Sequence, residues 1–237
     1  MFRLALASIL FPLFAGCLAA DGAGDEAIYI VKALAPNDTC SFNSSEDEPY
    51  IGNGTITAFS PSPYLLHVQL RSRIVTTTAA EQESKTIQIR GGRVTLDFKT
   101  PAIGELMKPN YKKFQTLFTA PLAPNVGSAT DARFEVIPEP VLKAIADGKG
   151  IGEDFQTVIL AKLVVFGDLA GEEVTSQEFQ FPITVCTDCI TNVVGTCPVT
   201  ATPRATNACN PYQDGIIDCC AESDGTVTCP ARVGTQN

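Results

Sequence analysis

The sequence holds a single histidine, His67, and only 17 lysines and arginines against 26 aspartates and glutamates in 237 residues. A net charge of −9 with no long basic run argues against a nucleic-acid partner, because proteins that bind nucleic acid gain affinity by neutralising phosphates with clustered Lys and Arg. One histidine also leaves little room for a Ser-His-Asp or Cys-His site. No Gly-x-Ser-x-Gly accompanies His67, and its place on the polar phase of an apolar strand pattern predicts a surface residue. The apolar stretch from Leu4 to Phe14 is too short to span a bilayer. No internal repeat is visible, and no helical pattern alternates with the strand patterns, which argues against a parallel α/β fold.

What is present is β signal. From Ala27 onward, short runs of branched and aromatic residues are separated by Gly, Pro, Asn and Asp. They predict strands over residues 28–34, 54–59, 64–77, 85–89, 93–98, 132–137, 156–166 and 173–185. Leu66, Val68 and Leu70 alternate with His67, Gln69 and Arg71, and Phe179, Phe181, Ile183 and Val185 alternate with polar neighbours. One face buried and one face wet is the pattern of an antiparallel sheet. Val158 to Phe166 is apolar at nearly every position and predicts a central strand covered on both sides. Gly91-Gly92 reads as a hairpin turn between two strands. One helix is predicted over residues 140–147, opened by Pro140 and stopped by Gly148. The fold expected is mainly β: an antiparallel β-sandwich, Ig-like or related, with one short helix and a small disulfide-rich C-terminal appendage. An open barrel is the alternative.

The nine cysteines are unevenly placed. Cys17 closes the run Leu13-Phe14-Ala15-Gly16-Cys17 behind Arg3 and the apolar stretch. A charged start, a short apolar region and small residues before a cut mark an export signal. This run resembles the lipobox of bacterial lipoprotein precursors. The resemblance implies cleavage before Cys17, acylation of that residue and a membrane reached through its lipid. An ordinary secretory signal cut near Ala19 or Ala20 is the other possibility. Leu18 after the cysteine resembles the pattern of lipoproteins forwarded to the outer membrane. The organisation expected is a signal peptide over residues 1–16, a flexible tether over 17–26, a β-sandwich over 27–185 and a disulfide-rich tail over 186–237.

Setting Cys17 aside leaves Cys40, Cys186, Cys189, Cys197, Cys209, Cys219, Cys220 and Cys229, a set that can pair completely in an oxidising compartment. Spacing does not fix the pairing. Cys219 and Cys220 are adjacent, and a bond between them would be strained, so each is expected to reach a different partner. Cys40 alone lies in the body, which makes it the expected staple between body and tail. The tail is too short to build a large core, so disulfides must substitute for one. Asp214-Gly215 and Asp224-Gly225 supply turns there. Cys17, together with the stretch from Cys209 through Asn210-Pro211-Tyr212-Gln213-Asp214-Gly215 to Cys219-Cys220, resembles uncharacterised envelope lipoproteins of Gram-negative bacteria with a cystine-rich tail.

Several groups invite chemistry. Cys186-Thr187-Asp188-Cys189 is a C-x-x-C, but it follows a strand and precedes no helix that would depress a thiol pKa, and no histidine lies near it to complete a zinc set. It reads as a structural disulfide. Glu46-Asp47-Glu48 and Glu172-Glu173 lack calcium-loop spacing and read as solvated charge. Asn37, Asn43 and Asn53 open glycosylation-type triplets that read as turn residues. Residues 100–130 break the strand pattern with four prolines and carry Lys108, Tyr111, Lys112 and Lys113, the candidate binding loop. The other reading of this stretch is an ordered cover with Tyr111, Phe114, Leu117 and Phe118 turned inward. No metal and no cofactor is expected. The function expected is a non-catalytic lipid-anchored envelope protein, a binding or structural module facing another envelope protein. The alternative is an exported enzyme, a carboxylate-based hydrolase or a thiol oxidoreductase using Cys186 and Cys189.

Overall fold

The structure is a computed structural model that describes residues 26–36, 42, 50–125, 129–148, 155–187, 189–198, 207 and 209–229. Cys17, Cys40, the signal and tether but for Glu26, and Glu46-Asp47-Glu48 lie outside them. Among the described residues the chain is mainly β, with thirteen strands and four helices. Strands β1 (Ile28–Leu34), β2 (Tyr50–Ile51), β4 (Tyr64–Ser72) and β7 (Ala129–Ile137) form one sheet in the order β2-β1-β4-β7. A six-stranded sheet has the order β3-β10-β8-β5-β6 with β9 paired to β8. Its members are β3 (Gly54–Thr57), β5 (Ile87–Phe98), β6 (Lys113–Leu122), β8 (Gln156–Leu169), β9 (Glu172–Thr175) and β10 (Phe179–Cys186). The tail adds β11 (Thr191–Thr196), β12 (Ile217–Ala221) and β13 (Val227–Thr228) as a third sheet.

The alternation seen in the sequence places the core. Leu66, Val68, Leu70 and Phe134 from the smaller sheet meet Val94, Leu96, Ile159, Leu163, Phe181 and Ile183 from the larger one in a single buried cluster. Removing that much apolar surface from water is the main force holding the two sheets together. The strand β8 is central, as its composition predicts, but it is covered on one side only. Thr157, Ile159, Ala161, Leu163 and Val165 are buried, whereas Val158, Leu160, Val164 and Phe166 stay half-exposed on the outer face.

The pairing is not purely antiparallel: β3 runs parallel to β10, and β11 runs parallel to β12. The expected hairpin at Gly91-Gly92 is absent, because 87–89 and 93–98 belong to one continuous strand, β5. Its register shifts between Ile89 and Gly91, leaving Arg90 as the extra residue of a bulge. The two glycines are required by close approach. A Cβ on Gly92 would strike Leu163 and Phe134 in the core, and one on Gly91 would strike the Thr116 carbonyl and crowd the Phe166 ring. Phe166 instead covers Gly91, and the Arg93 guanidinium lies 4.6 Å from the centre of its ring. The predicted strand 173–185 is likewise divided, into β9 and β10, with Ser176 between them tied to Val165.

Four helices replace the one expected. The predicted helix is α4 (Glu139–Ala146), which turns Val141, Leu142 and Ile145 into the core. The others are α1 (Ala79–Ser84), α2 (Pro101–Leu106) and α3 (Pro109–Lys112). A capping box, Thr78-x-x-Glu81, starts α1: the Thr78 hydroxyl accepts from the Glu81 N–H, and the Glu81 carboxylate accepts from Thr77. That signal was legible in the sequence and marks where the predicted strand 64–77 stops, at Ser72. Residues 100–130 are not an irregular loop. After α2 and α3 they form β6, an edge strand paired along β5, with Tyr111, Phe114 and Phe118 against the core. Leu117 alone of the four expected cover residues points away, 83% exposed.

Candidate functional site

The groups singled out in the sequence are not brought together. Lys108 caps α3, Tyr111 and Lys112 lie within it and Lys113 begins β6, so the candidate binding loop is an ordered corner of helix and edge strand. Lys108 stands 5.8 Å from the centre of the Tyr111 ring. Glu172 and Glu173 are exposed on β9, and Glu173 is ion-paired to Arg93 at 2.6 Å. Asn53 is exposed between β2 and β3. Asn37 and Asn43 lie outside the described residues. Among the described residues no group of three or more His, Cys, Asp or Glu side chains could hold a metal ion, and no helix is long and apolar enough to cross a membrane.

His67 is not a surface residue. It occupies the outer face of β4 as its phase predicts, but it is half-buried, with the Phe42 ring stacked on it at 3.3 Å and 4°. Its cross-strand partner is Arg133. Burial first, and then the Arg133 charge, hold the imidazole pKa at about 3 against an ordinary 6.5. Gln69, two residues on along the same face, is 1% exposed. Alternation along β4 reports which way a side chain points. It does not report what covers it.

The cysteines of the tail are engaged. Cys186 pairs with Cys189, Cys197 with Cys220 and Cys219 with Cys229, and Cys209 is also disulfide-bonded. The adjacent Cys219 and Cys220 thus reach different partners. The C-x-x-C bond sits where β10 ends, with Cys186 buried and Cys189 exposed, and it turns the chain from the body into the tail. Behind it, Ile190, Ile217 and Cys219 form a small core of their own, with Tyr212 and Cys229 against it. Gly225, at φ 87°, makes the tight turn that the sequence places between β12 and β13.

The most developed polar cluster lies where tail meets body, and the sequence showed it only as a turn. Asp214, held at φ 53°, directs one carboxylate oxygen to the Thr55 N–H at 2.7 Å and the other to the Tyr64 hydroxyl, which donates at 2.6 Å. The Gln213 amide bonds the Leu65 backbone as a neighbouring strand would, accepting from its N–H at 2.9 Å and donating to its carbonyl at 2.8 Å. The same amide nitrogen reaches Asp214 at 2.9 Å. Asn210 donates to Gln213, and Asn207 donates to the Gln213 carbonyl while accepting from the Cys209 and Asn210 N–H groups. Burial raises the Asp214 carboxyl pKa, against the lowering by its three donors. Burial and the adjacent carboxylate push the Tyr64 hydroxyl well above its ordinary value. Gly54 is needed beneath this cluster, since a Cβ there would overlap the Tyr64 hydroxyl.

A groove of about 500 Å³ opens between the edges of the two sheets, lined by Val31, Ala33, Tyr50, Ile51, Phe179 and Phe181 among others. It exists because the segment from β2 to β3 crosses from one sheet to the other. That leaves β1 before Ala33 and β10 before Ile183 without a strand neighbour on this side among the described residues. No protein-family model and no curated protein matches the chain.

Proposed function

We propose that this chain is a non-catalytic, lipid-anchored module of the bacterial cell envelope, carried to the outer membrane. In this reading the body is a β-sandwich of Ig-like or related kind that binds another envelope component, and the tail is a rigid cap. The observation that carries it is the junction between tail and body. The groups with chemical potential there are spent on structure: the C-x-x-C is oxidised, and the buried Asp214 carboxylate is engaged by three neutral donors. The disulfides suit an oxidising, exported environment. The lipobox-like run ending at Cys17 supports the anchor.

The exposure of Cys189 favours a second reading, a thiol oxidoreductase, whose first step would need that sulfur accessible. One measurement separates the two: the intact mass of the protein extracted from native membranes, alkylated with and without prior reduction. The anchored binding module predicts a chain beginning at acylated Cys17 with no thiol alkylated before reduction. An unacylated mass removes the anchor. A pair of thiols alkylated without reduction, mapped to Cys186 and Cys189, replaces the binding module by the redox enzyme.

A further inference from the structure

The charge of this acidic chain is unevenly distributed. From Leu106 to Thr130 there is no aspartate or glutamate, and the stretch carries Lys108, Lys112 and Lys113. Lys108 and Lys113 are exposed and Lys112 is half-buried, and none of the three has an ion-pair partner among the described residues. Lys113 opens β6, from which Lys113, Gln115, Leu117 and Thr119 project to one side. Across the sheet, Lys113, Thr95, Lys162 and Gln180 stand in one row, and Leu117 lies beside Gly91 and Phe166 two rows away. The outer face of the six-stranded sheet is therefore apolar at Leu117, Val164 and Phe166 and cationic at Lys113, Arg93 and Lys162. The carboxylates on it include Asp97, shared with Lys99 at 2.9 Å and Lys162 at 4.0 Å, Glu173, paired with Arg93, and the half-exposed Asp168 opposite Glu173. The exposed Glu105 precedes the corner.

We infer that the edge of this face, Lys108, Lys112, Lys113 and Leu117, docks on an anionic lipid surface. Two observations select a membrane over an acidic protein. Leu117, 83% exposed on the same strand face as Lys113 and two rows from it, suits an interfacial anchor, in which an apolar side chain enters the bilayer boundary while Lys reaches anionic headgroups. The chain itself also leads there. Glu26, where the described body begins, accepts from Gln177 at 2.7 Å, two residues before Phe179, and Phe179, Leu163, Val94 and Phe114 form one row across the sheet. The attachment point of the tether is therefore level with the start of β6 and three strands from it, about 15 Å. The nine residues from Cys17 to Glu26 reach at most roughly 30 Å. An acyl chain on Cys17 would hold this face within reach of the bilayer. A basic patch there would add attraction to anionic headgroups to what the acylated cysteine supplies.

The proximity argument rests on the lipid-anchor reading, so the test removes the lipid. The exported chain carrying Cys17→Ser is mixed at low salt with vesicles of phosphatidylcholine alone, or with a third phosphatidylglycerol, and sedimented. Binding to the anionic vesicles only, weakening as salt rises, is expected. Each lysine contributes about fivefold near an anionic surface, so Lys108→Gln/Lys112→Gln/Lys113→Gln should lower affinity on the order of 100-fold. Leu117→Asp should weaken binding as well, and Lys143→Gln, on α4, should leave it unchanged. No binding to anionic vesicles, or equal binding by the triple variant at an unchanged unfolding midpoint, overturns the inference. So does binding to polyglutamate but not to vesicles, which would assign the face to an acidic protein. Acylation of Cys17 is read separately by the intact mass, so either claim can fail alone.

Discussion

His67 should stay uncharged in the folded protein down to strongly acidic pH, and its removal should flatten the acid side of the stability profile. The folded imidazole has a pKa of about 3, whereas the unfolded chain returns it to about 6.5. Between these values the unfolded chain binds a proton that the folded chain does not. The group's contribution is therefore complete above pH 6.5 and lost as pH falls toward 3. At pH 5, 1.5 units below the unfolded value, the loss amounts to about 2 kcal/mol at about 1.4 kcal/mol per unit. Because His67 is the only histidine, its ring resonances can be followed by NMR without assignment. Urea unfolding at pH 8 and pH 5 then compares the parent with His67→Gln. Burial raises the carboxyls of Asp214 and Glu135, which act in the opposite sense, since stability falls as pH rises through their range. They are common to both proteins and cancel in the difference. A folded-state midpoint near 6.5, or the same loss of stability at pH 5 in both proteins, would refute the assignment of burial under Phe42 as the cause.

Three further outcomes are expected. Tyr64→Phe removes the donor 2.6 Å from a buried carboxylate and should cost about 1.5–3 kcal/mol in urea unfolding, with faster amide exchange at Thr55; an unchanged midpoint would mean the clamp does not hold the tail. Gly92→Ala should cost roughly 1–3 kcal/mol, because the added methyl meets the Leu163 and Phe134 side chains in the core. A non-reducing peptide map should return Cys186–Cys189, Cys197–Cys220 and Cys219–Cys229, and the arithmetic of eight cysteines leaves Cys40 as the expected partner of Cys209.

The sequence by itself determined whatever depends on local period and local chemistry. Alternation in β4 and β10 located strands and their inward faces, because successive side chains on a strand point to opposite sides. Pro140 and Gly148 bounded α4, and the crowding of cysteines after Cys186 marked a tail that needs covalent staples. What depends on contact between distant segments was decided by tertiary structure alone. Gly91-Gly92 carries the same letters whether it turns a hairpin or lets Phe166, Leu163 and Phe134 approach a continuous strand. The parallel pairing of β3 with β10 joins residues about 130 positions apart, for which spacing holds no signal. The junction cluster is the clearest case. Asn207, Asn210, Gln213 and Asp214 are polar letters in a cystine-rich tail, and polarity predicts exposure. They are withdrawn from water because Thr55, Tyr64 and Leu65 bond Asp214 and Gln213, which with Pro63 bond Asn207 and Asn210 in turn, and a polar group tolerates burial only where another part of the fold replaces its water.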